Sequence, residues 1–232
     1  MSAAAEQKRA AGEAAAALVQ DGMTVGLGTG STAAEFVRAL GRRVAAGELS
    51  VRGVATSDAT ASLARELGIA LIELDAAGEI DLTVDGADEV GPGLSLIKGG
   101  GAALLREKLV WEASRRCVVI ADRSKVVQRL GRFPLPVEVI AFGHVSTSRR
   151  LFDALAEVDV GAAPRLRLRD GAPVRTESGH VIYDIPCGAI PDPSPLADAL
   201  KAVTGVVDHG LFLDLADEAL IAGEGGMERL MP

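Results

Sequence analysis

Met23-Thr24-Val25-Gly26-Leu27-Gly28-Thr29-Gly30-Ser31-Thr32 starts as a short apolar run, passes through three glycines in five residues and ends on two hydroxyls. Over 32–46, Phe36, Val37, Leu40 and Val44 recur at helical spacing. The stretch therefore reads as a strand, a tight turn and the start of a helix. The same alternation extends on both sides. Residues 3–20 are mostly alanine and lack proline, which predicts a helix stopped by Asp21-Gly22. Downstream, strands are expected at 51–55, 69–74, 80–84 and 117–121, with helices at 59–67 and 102–114. Alternation through short connections predicts an α/β fold. Its core is a Rossmann-like, mainly parallel sheet with helices on both faces.

The texture changes near residue 132. Eight of the ten prolines lie between Pro134 and Pro195. Arg165-Leu166-Arg167-Leu168-Arg169 alternates with period two, Asp170-Gly171 follows and Val174 resumes, which predicts a hairpin with one wet face. Ser194 and Pro195 suit the cap and first turn of a helix over 196–203. The apolar strand pattern returns at Gly210-Leu211-Phe212-Leu213 and Ala219-Leu220-Ile221. The expected organisation is a large α/β domain over 1–132 and 208–232, interrupted by a small inserted α+β domain over 133–207.

Composition narrows the function. The 232 residues are 48% hydrophobic and 24% charged, an ordinary globular balance. A net charge of −8 argues against nucleic acid as a partner. No apolar run approaches the roughly 18 residues of a membrane span. Cys117 and Cys187 are too few for a metal-ligand cluster or a disulfide framework, and Cys117 lies in a run that reads as a buried strand. His144, His180 and His209 share no spacing that suggests a metal site or a triad. The alanine-rich N-terminus carries Glu6, Lys8, Arg9 and Glu13, so it does not read as a secretory signal, and a cytoplasmic setting is expected.

Four segments carry chemistry. Gly28-Thr29-Gly30-Ser31-Thr32 offers bare backbone N–H groups, a helix N-terminus and two hydroxyls, the parts of a phosphate cradle. On its own it is also a capped turn, and Ser31 at the third glycine position breaks the dinucleotide fingerprint. Asp85-Gly86-Ala87-Asp88-Glu89 puts three carboxylates at a strand's carboxyl end, where open α/β sheets bind ligands. Lys98-Gly99-Gly100-Gly101 sets a cation beside exposed N–H groups, a place for a developing oxyanion, and Glu107 follows on the next helix. Asp122-Arg123-Ser124-Lys125 follows a further strand. All four are expected at the edge of one parallel sheet. Two glycine loops, Lys98, Lys125, Asp85, Asp88 and Glu107 then suit proton transfer on a phosphorylated small molecule.

These segments resemble the type A ribose-5-phosphate isomerase family. The matching stretches are Gly28 to Thr32, Asp85 to Glu89, Lys98-Gly99-Gly100-Gly101-Ala102-Ala103-Leu104 with Arg106-Glu107-Lys108, Ala121-Asp122 with Ser124-Lys125, and Phe133-Pro134-Leu135-Pro136-Val137-Glu138-Val139. They stand in the family's order. With Thr204-Gly205-Val206-Val207 and Gly210-Leu211-Phe212 the similarity covers nearly the whole chain. Residues 141–200 match loosely, and Cys187 before Gly188 departs from the pattern.

The resemblance implies interconversion of D-ribose 5-phosphate and D-ribulose 5-phosphate through an enediolate, in the non-oxidative pentose phosphate branch, with no metal or organic cofactor. It implies that Glu107 moves the proton between C2 and C1. Asp85, Asp88 and Lys98 would serve ring opening and the protons on the oxygens. Lys98, Gly99, Gly100 and Gly101 would face the enediolate oxygen, and Gly86 and Ala87 would line the substrate. Thr29, Gly30, Ser31, Thr32, Lys125 and Lys8 would hold it, mainly at the phosphate. A homodimer or homotetramer is implied as well. The rival readings are a non-catalytic sugar-phosphate-binding module, a coenzyme A transferase relative and a nucleotide-dependent dehydrogenase.

Overall fold

The computed structural model describes residues 2–232. In chain order, α1 (Ala3–Ala16), β1 (Thr24–Leu27), α2 (Ser31–Ala45), β2 (Arg52–Ala55), α3 (Asp58–Glu66) and β3 (Ala70–Leu71) come first. Next are α4 (Leu74–Ala77), β4 (Leu82–Gly86), β5 (Glu89–Val90), β6 (Leu96–Ile97), α5 (Leu104–Glu112) and β7 (Cys117–Asp122). Then follow β8 (Leu135–Val139), α6 (His144–Glu157), β9 (Arg165–Leu166), β10 (Leu168–Arg169), β11 (Ala172–Pro173) and β12 (Val181–Ile185). The last are α7 (Pro193–Lys201), β13 (Val206–His209), β14 (Leu211–Phe212), β15 (Glu218–Gly223) and β16 (Gly226–Leu230).

Two units form. The first takes the chain up to Ala87, then Arg106–Val126 and Asp214–Pro232. It is built on a seven-stranded sheet in the order β16-β15-β7-β4-β1-β2-β3. All neighbours are parallel except the β15–β16 hairpin. The parallel strands are buried on both faces, so they read as continuous apolar runs. One face packs Ala11, Ala15, Phe36 and Leu40 of α1 and α2 against Val25, Val84 and Ile120. On the other, Val110 of α5 packs with Val54 and Ile80. The expected α/β sheet with helices on both faces is present.

The second unit takes Asp88–Leu105 and Val127–Leu213. It is larger than the expected 133–207, because the segment after β4 and the one after Val126 build its small sheets. β14-β6-β5 form a three-stranded antiparallel sheet, and β13-β8-β12-β9 a four-stranded one. Leu151 and Leu155 of α6 and Leu196 and Leu200 of α7 pack on Val137, Val139 and Val181 of the larger sheet.

Local departures from the sequence reading have local causes. α1 ends at Ala16, because 17–18 form a turn before Asp21-Gly22 is reached. The strand expected at 69–74 shrinks to β3, since Leu74 to Ala77 turn helical. α7 begins earlier than expected. Asp192 caps it, accepting from the Ser194 N–H at 3.1 Å, and Pro193 fills the first turn. The period-two run at 165–169 breaks at Arg167 into β9 and β10, which join different sheets.

Glu89 is fully buried, and its carboxylate accepts the N–H of Gly131 at 2.7 Å and that of Phe133 at 2.6 Å. It clamps a turn of the second unit instead of joining a carboxylate cluster. Glu89→Gln swaps an acceptor for an NH2 group facing a backbone donor. Charge-assisted hydrogen bonds contribute about 1.5–3 kcal/mol, so a loss of that order is expected in urea unfolding. A change under about 0.5 kcal/mol contradicts the clamp.

Candidate active site

In the first unit, the carboxyl ends of β1 and β4 hold the glycine loop 28–32 against Asp85. Asp85 is fully buried, and its Oδ1 accepts the N–H groups of Thr29 at 3.0 Å and Gly86 at 2.7 Å. That approach requires glycine at 28, because a Cβ there would lie 2.2 Å from Asp85 Oδ1. The loop leaves the sheet at Gly30 with φ of 106° and enters α2 at Ser31. Lys8 Nζ, reaching over from α1, donates to Ser31 Oγ at 2.9 Å. A cation and a hydroxyl thus stand together at a helix start with bare N–H groups, which is an anion-binding arrangement. Gly30, Ser31 and Thr32 are exposed or half-buried, so this corner is open to solvent.

Beneath the loop lies a set of hydroxyls that sequence reading did not single out. Thr29 Oγ1 is 2.7 Å from Thr56 Oγ1, Thr56 donates to the Leu27 carbonyl at 3.1 Å, and Thr60 donates to the Gly28 carbonyl at 2.9 Å. Thr56 and Thr60 are buried and fix the loop from below. The usable signal was Thr56-Ser57, hydroxyls directly after β2 at the same sheet edge as the glycine loop.

Glu107 sits in the first turn of α5 and is 4% exposed. The far end of α5 is pinned low on β4. Ser114 Oγ lies 2.7 Å from Thr83 Oγ1, and Ile80 N–H donates to the Ala113 carbonyl. Glu107, in the first turn of α5, is thus at the end of the helix away from that anchor. The carboxyl edge of the sheet carries Asp122 at the end of β7, whose Oδ1 accepts the Ser124 N–H at 3.0 Å and shapes the turn with Lys125. Lys8, Thr29, Ser31, Asp85, Glu107 and Lys125 all belong to this unit.

Asp88, Lys98 and the glycine loop belong to the second unit. The loop follows β6 of the three-stranded sheet, not a strand of the parallel sheet as the alternation suggested. Asp88 Oδ2 accepts the Gly100 N–H at 2.7 Å, so that donor is occupied by a carboxylate and is not offered to an oxyanion. Lys98 is 2% exposed, its backbone N–H donates to the Gly210 carbonyl, and its Nζ stands 5.4 Å from the centroid of the Phe212 ring. A buried ammonium over a ring face is a strong local field in a low-dielectric setting. Arg167 is the second residue missed from sequence. Its Nη1 donates to the carbonyls of Gly99 at 2.8 Å and Gly100 at 3.2 Å, while its Nε donates to Asp184 at 2.8 Å. Nothing in an alternating Arg-Leu run marks one arginine as the one that turns inward.

The remaining nucleophile candidates are occupied elsewhere. Burial pushes the Cys117 thiol up to about 12 and the Cys187 thiol to about 11, so neither is a thiolate near neutral pH. His144 Nδ1 meets the Tyr183 hydroxyl at 2.8 Å, His180 Nδ1 meets buried Glu138 at 2.9 Å, and His209 Nδ1 accepts from Leu211 N–H at 3.3 Å. Among the described residues no three His, Cys, Asp or Glu side chains gather as a metal site would require. Buried Asp85 and Glu107 offer carboxylates in the same unit as the Lys8–Ser31 corner.

Known proteins carry the same architecture. Ribose-5-phosphate isomerase A of Caulobacter sp. (strain K31) is 66% identical over 227 residues, covering 98% of each chain. The solved ribose 5-phosphate isomerase A of Methanocaldococcus jannaschii is 40% identical with a TM-score of 0.89, covering 98% of this chain and 99% of its own. A D-ribose-5-phosphate isomerase solved in complex with phospho-erythronic acid is 36% identical with a TM-score of 0.91, covering 98% of each. Residues 52–226 match the family described as Ribose 5-phosphate isomerase A (phosphoriboisomerase A), and the chain belongs to that family.

Proposed function

We propose that the chain interconverts ribose 5-phosphate and ribulose 5-phosphate by moving one proton between C2 and C1. The observation that carries this is buried Glu107 at the start of α5, in the unit that also holds buried Asp85, the Lys8–Ser31 corner and Lys125. The phospho-erythronic acid held by the relative supports it, because a phosphorylated hydroxy-acid presents two carboxylate oxygens where an enediolate presents its own.

The open-chain aldose binds by its phosphate to Lys8, Ser31, Thr32, Lys125 and the N–H groups of 29–32. The Glu107 carboxylate takes the C2 proton, the C2–H electron pair becomes the C1=C2 bond, and the carbonyl pair moves to O1. A proton reaches O1 and leaves O2, and Glu107 returns its own proton to C1, giving the ketose. Ring opening before this step needs a proton at the ring oxygen and one removed from O1, the work assigned to Asp85, Asp88 and Lys98. The reaction so written uses neither metal nor organic cofactor. The protein is proposed to work as a homo-oligomer in the cytoplasm.

The test is incubation of the purified protein with ribose 5-phosphate in the presence of a strong chelator, with detection of ketopentose. Steady conversion is expected, with free ribose turned over at least about 100-fold less efficiently for want of the phosphate contacts. No ketopentose, or equal use of ribose and ribose 5-phosphate, overturns the reading.

A further inference from the structure

One peptide group of the glycine loop is held at both ends by side chains of the second unit. The Gly99 carbonyl and the Gly100 N–H belong to the same planar amide and point opposite ways. Arg167 Nη1 donates to that carbonyl at 2.8 Å, and that N–H donates to Asp88 Oδ2 at 2.7 Å. Asp184 backs the guanidinium, taking its Nε at 2.8 Å with one carboxylate oxygen and its Nη2 with the other. Asp184, Arg167, the amide and Asp88 thus form one hydrogen-bonded chain. Its charges and dipole run head to tail: anion, cation, carbonyl oxygen, N–H, anion. Each bond in such a chain polarises the next, so the cation on the carbonyl strengthens the N–H as a donor to Asp88.

The chain is shaped around Asp88. A Cβ at Gly100 would lie 2.7 Å from Asp88 Oδ1 and 3.0 Å from Oδ2, so glycine alone admits the carboxylate this close. The Asp88 backbone is already fixed, because its N–H donates to the Ile97 carbonyl at 2.8 Å. What remains to be set is the direction of its side chain, and the Gly100 N–H sets it. Arg167 suits the far end. Its backbone is locked separately, its N–H donating to the Ile182 carbonyl at 2.8 Å and its carbonyl accepting the Val174 N–H at 2.9 Å. Its side chain is 15% exposed, so the charge is felt with little screening. A planar fork meets a carboxylate along one edge and carbonyls at the other, which an ammonium cannot do.

We propose that Arg167, backed by Asp184, is a positioning residue for Asp88, holding and polarising through the Gly99–Gly100 amide the donor that aims the carboxylate for ring opening of the aldose. The proposal rests on the role given to Asp88 under the proposed function. It touches one of two separable steps. Ribose 5-phosphate is closed through O4 and must open before enolisation begins. Ribulose 5-phosphate cannot close into a furanose, because the O5 that would attack C2 carries the phosphate. Proton exchange at C1 of the ketose therefore passes through the enediolate with no ring to open.

The test compares two readouts on the full chain: kcat/KM for ribose 5-phosphate, and entry of solvent deuterium at C1 of ribulose 5-phosphate followed by NMR. Arg167→Met is expected to lower kcat/KM by about 10–100-fold, the scale of a misplaced catalytic group. Deuterium entry is expected to stay within about threefold of the parent. Asp184→Asn keeps the guanidinium and weakens its charge-assisted anchor, and the same split is expected at about three- to tenfold. Where Arg167→Met alters the circular dichroism spectrum, Asp184→Asn decides. Failure of the isomerase reading shows in the parent, which would neither convert the aldose nor exchange the ketose. Failure of this proposal shows only in the variants. An equal loss of both readouts makes the arginine a part of the general framework, and no loss of kcat/KM means that Asp88 is aimed without it. Either result overturns the proposal.

Discussion

Glu107→Gln is expected to lower kcat for ribose 5-phosphate by about 10²–10⁴-fold, the usual contribution of a positioned general base. The amide keeps the size and most of the packing of the carboxylate in its buried place on α5, but it cannot take a proton from carbon. Substrate affinity should change little, because the anion-binding corner formed by Lys8 and Ser31 is untouched. Exchange of the C2 proton with solvent deuterium, followed by NMR, should vanish together with turnover. Those two readouts separate loss of the base from loss of a later step. If the variant keeps kcat within about threefold of the parent, the C2 proton goes elsewhere and the assignment fails.

The second large effect divides the two lysines. Lys98 is buried beside the Phe212 ring, where a charge is poorly screened and strongly felt. The oxygens of the sugar gain negative charge only as the enediolate forms, so the role proposed for Lys98 is one exercised in the transition state. Lys98→Met is expected to lower kcat by about 10²–10³-fold, the cost of losing one oxyanion donor. Lys125 sits half-buried in the turn that Asp122 shapes, and the phosphate it is proposed to hold keeps a constant charge throughout. Lys125→Met should mainly raise KM, since an interaction equal in ground and transition states is uniform binding. Steady-state kinetics on both variants, with circular dichroism as the folding check, decide the matter. The reverse pattern means that the two ends of the substrate are assigned backwards.

The parallel sheet was legible because its strands are apolar on both faces and its helices on one, so two periods alternate along the chain. The loop at 28–32 was legible for a related reason, since glycines between a strand and a helix have few other uses. The short elements were not. Among the described residues, seven two-residue strands carry no period of their own and exist because neighbours pair with them. Lys98 was expected at the edge of the parallel sheet, but it follows β6 of the small sheet, one of whose partners, β14, is more than a hundred residues away. Glu89 was grouped with Asp85 and Asp88 by adjacency alone. Its burial on the Gly131 and Phe133 amides depends on a turn more than forty residues away. Of the side chains that steady the loops, Thr56 carried a signal in its place directly after β2, whereas Arg167 in its alternating run carried none.

The break in the strand at Arg167 has a consequence for how the glycine loop can work. Three consecutive glycines are the most freely rotating stretch a chain can contain, and in isolation Gly99 to Gly101 would sample many peptide orientations. One guanidinium, itself held by Asp184, grips two of the loop's carbonyls from behind. Fixing the carbonyls fixes the peptide planes, and with them the direction in which the opposite N–H groups point. The configurational entropy of the loop is therefore surrendered once, during folding, and not again in each catalytic cycle. The interrupted hairpin of the small unit thus keeps rigid a segment whose own sequence is built for motion.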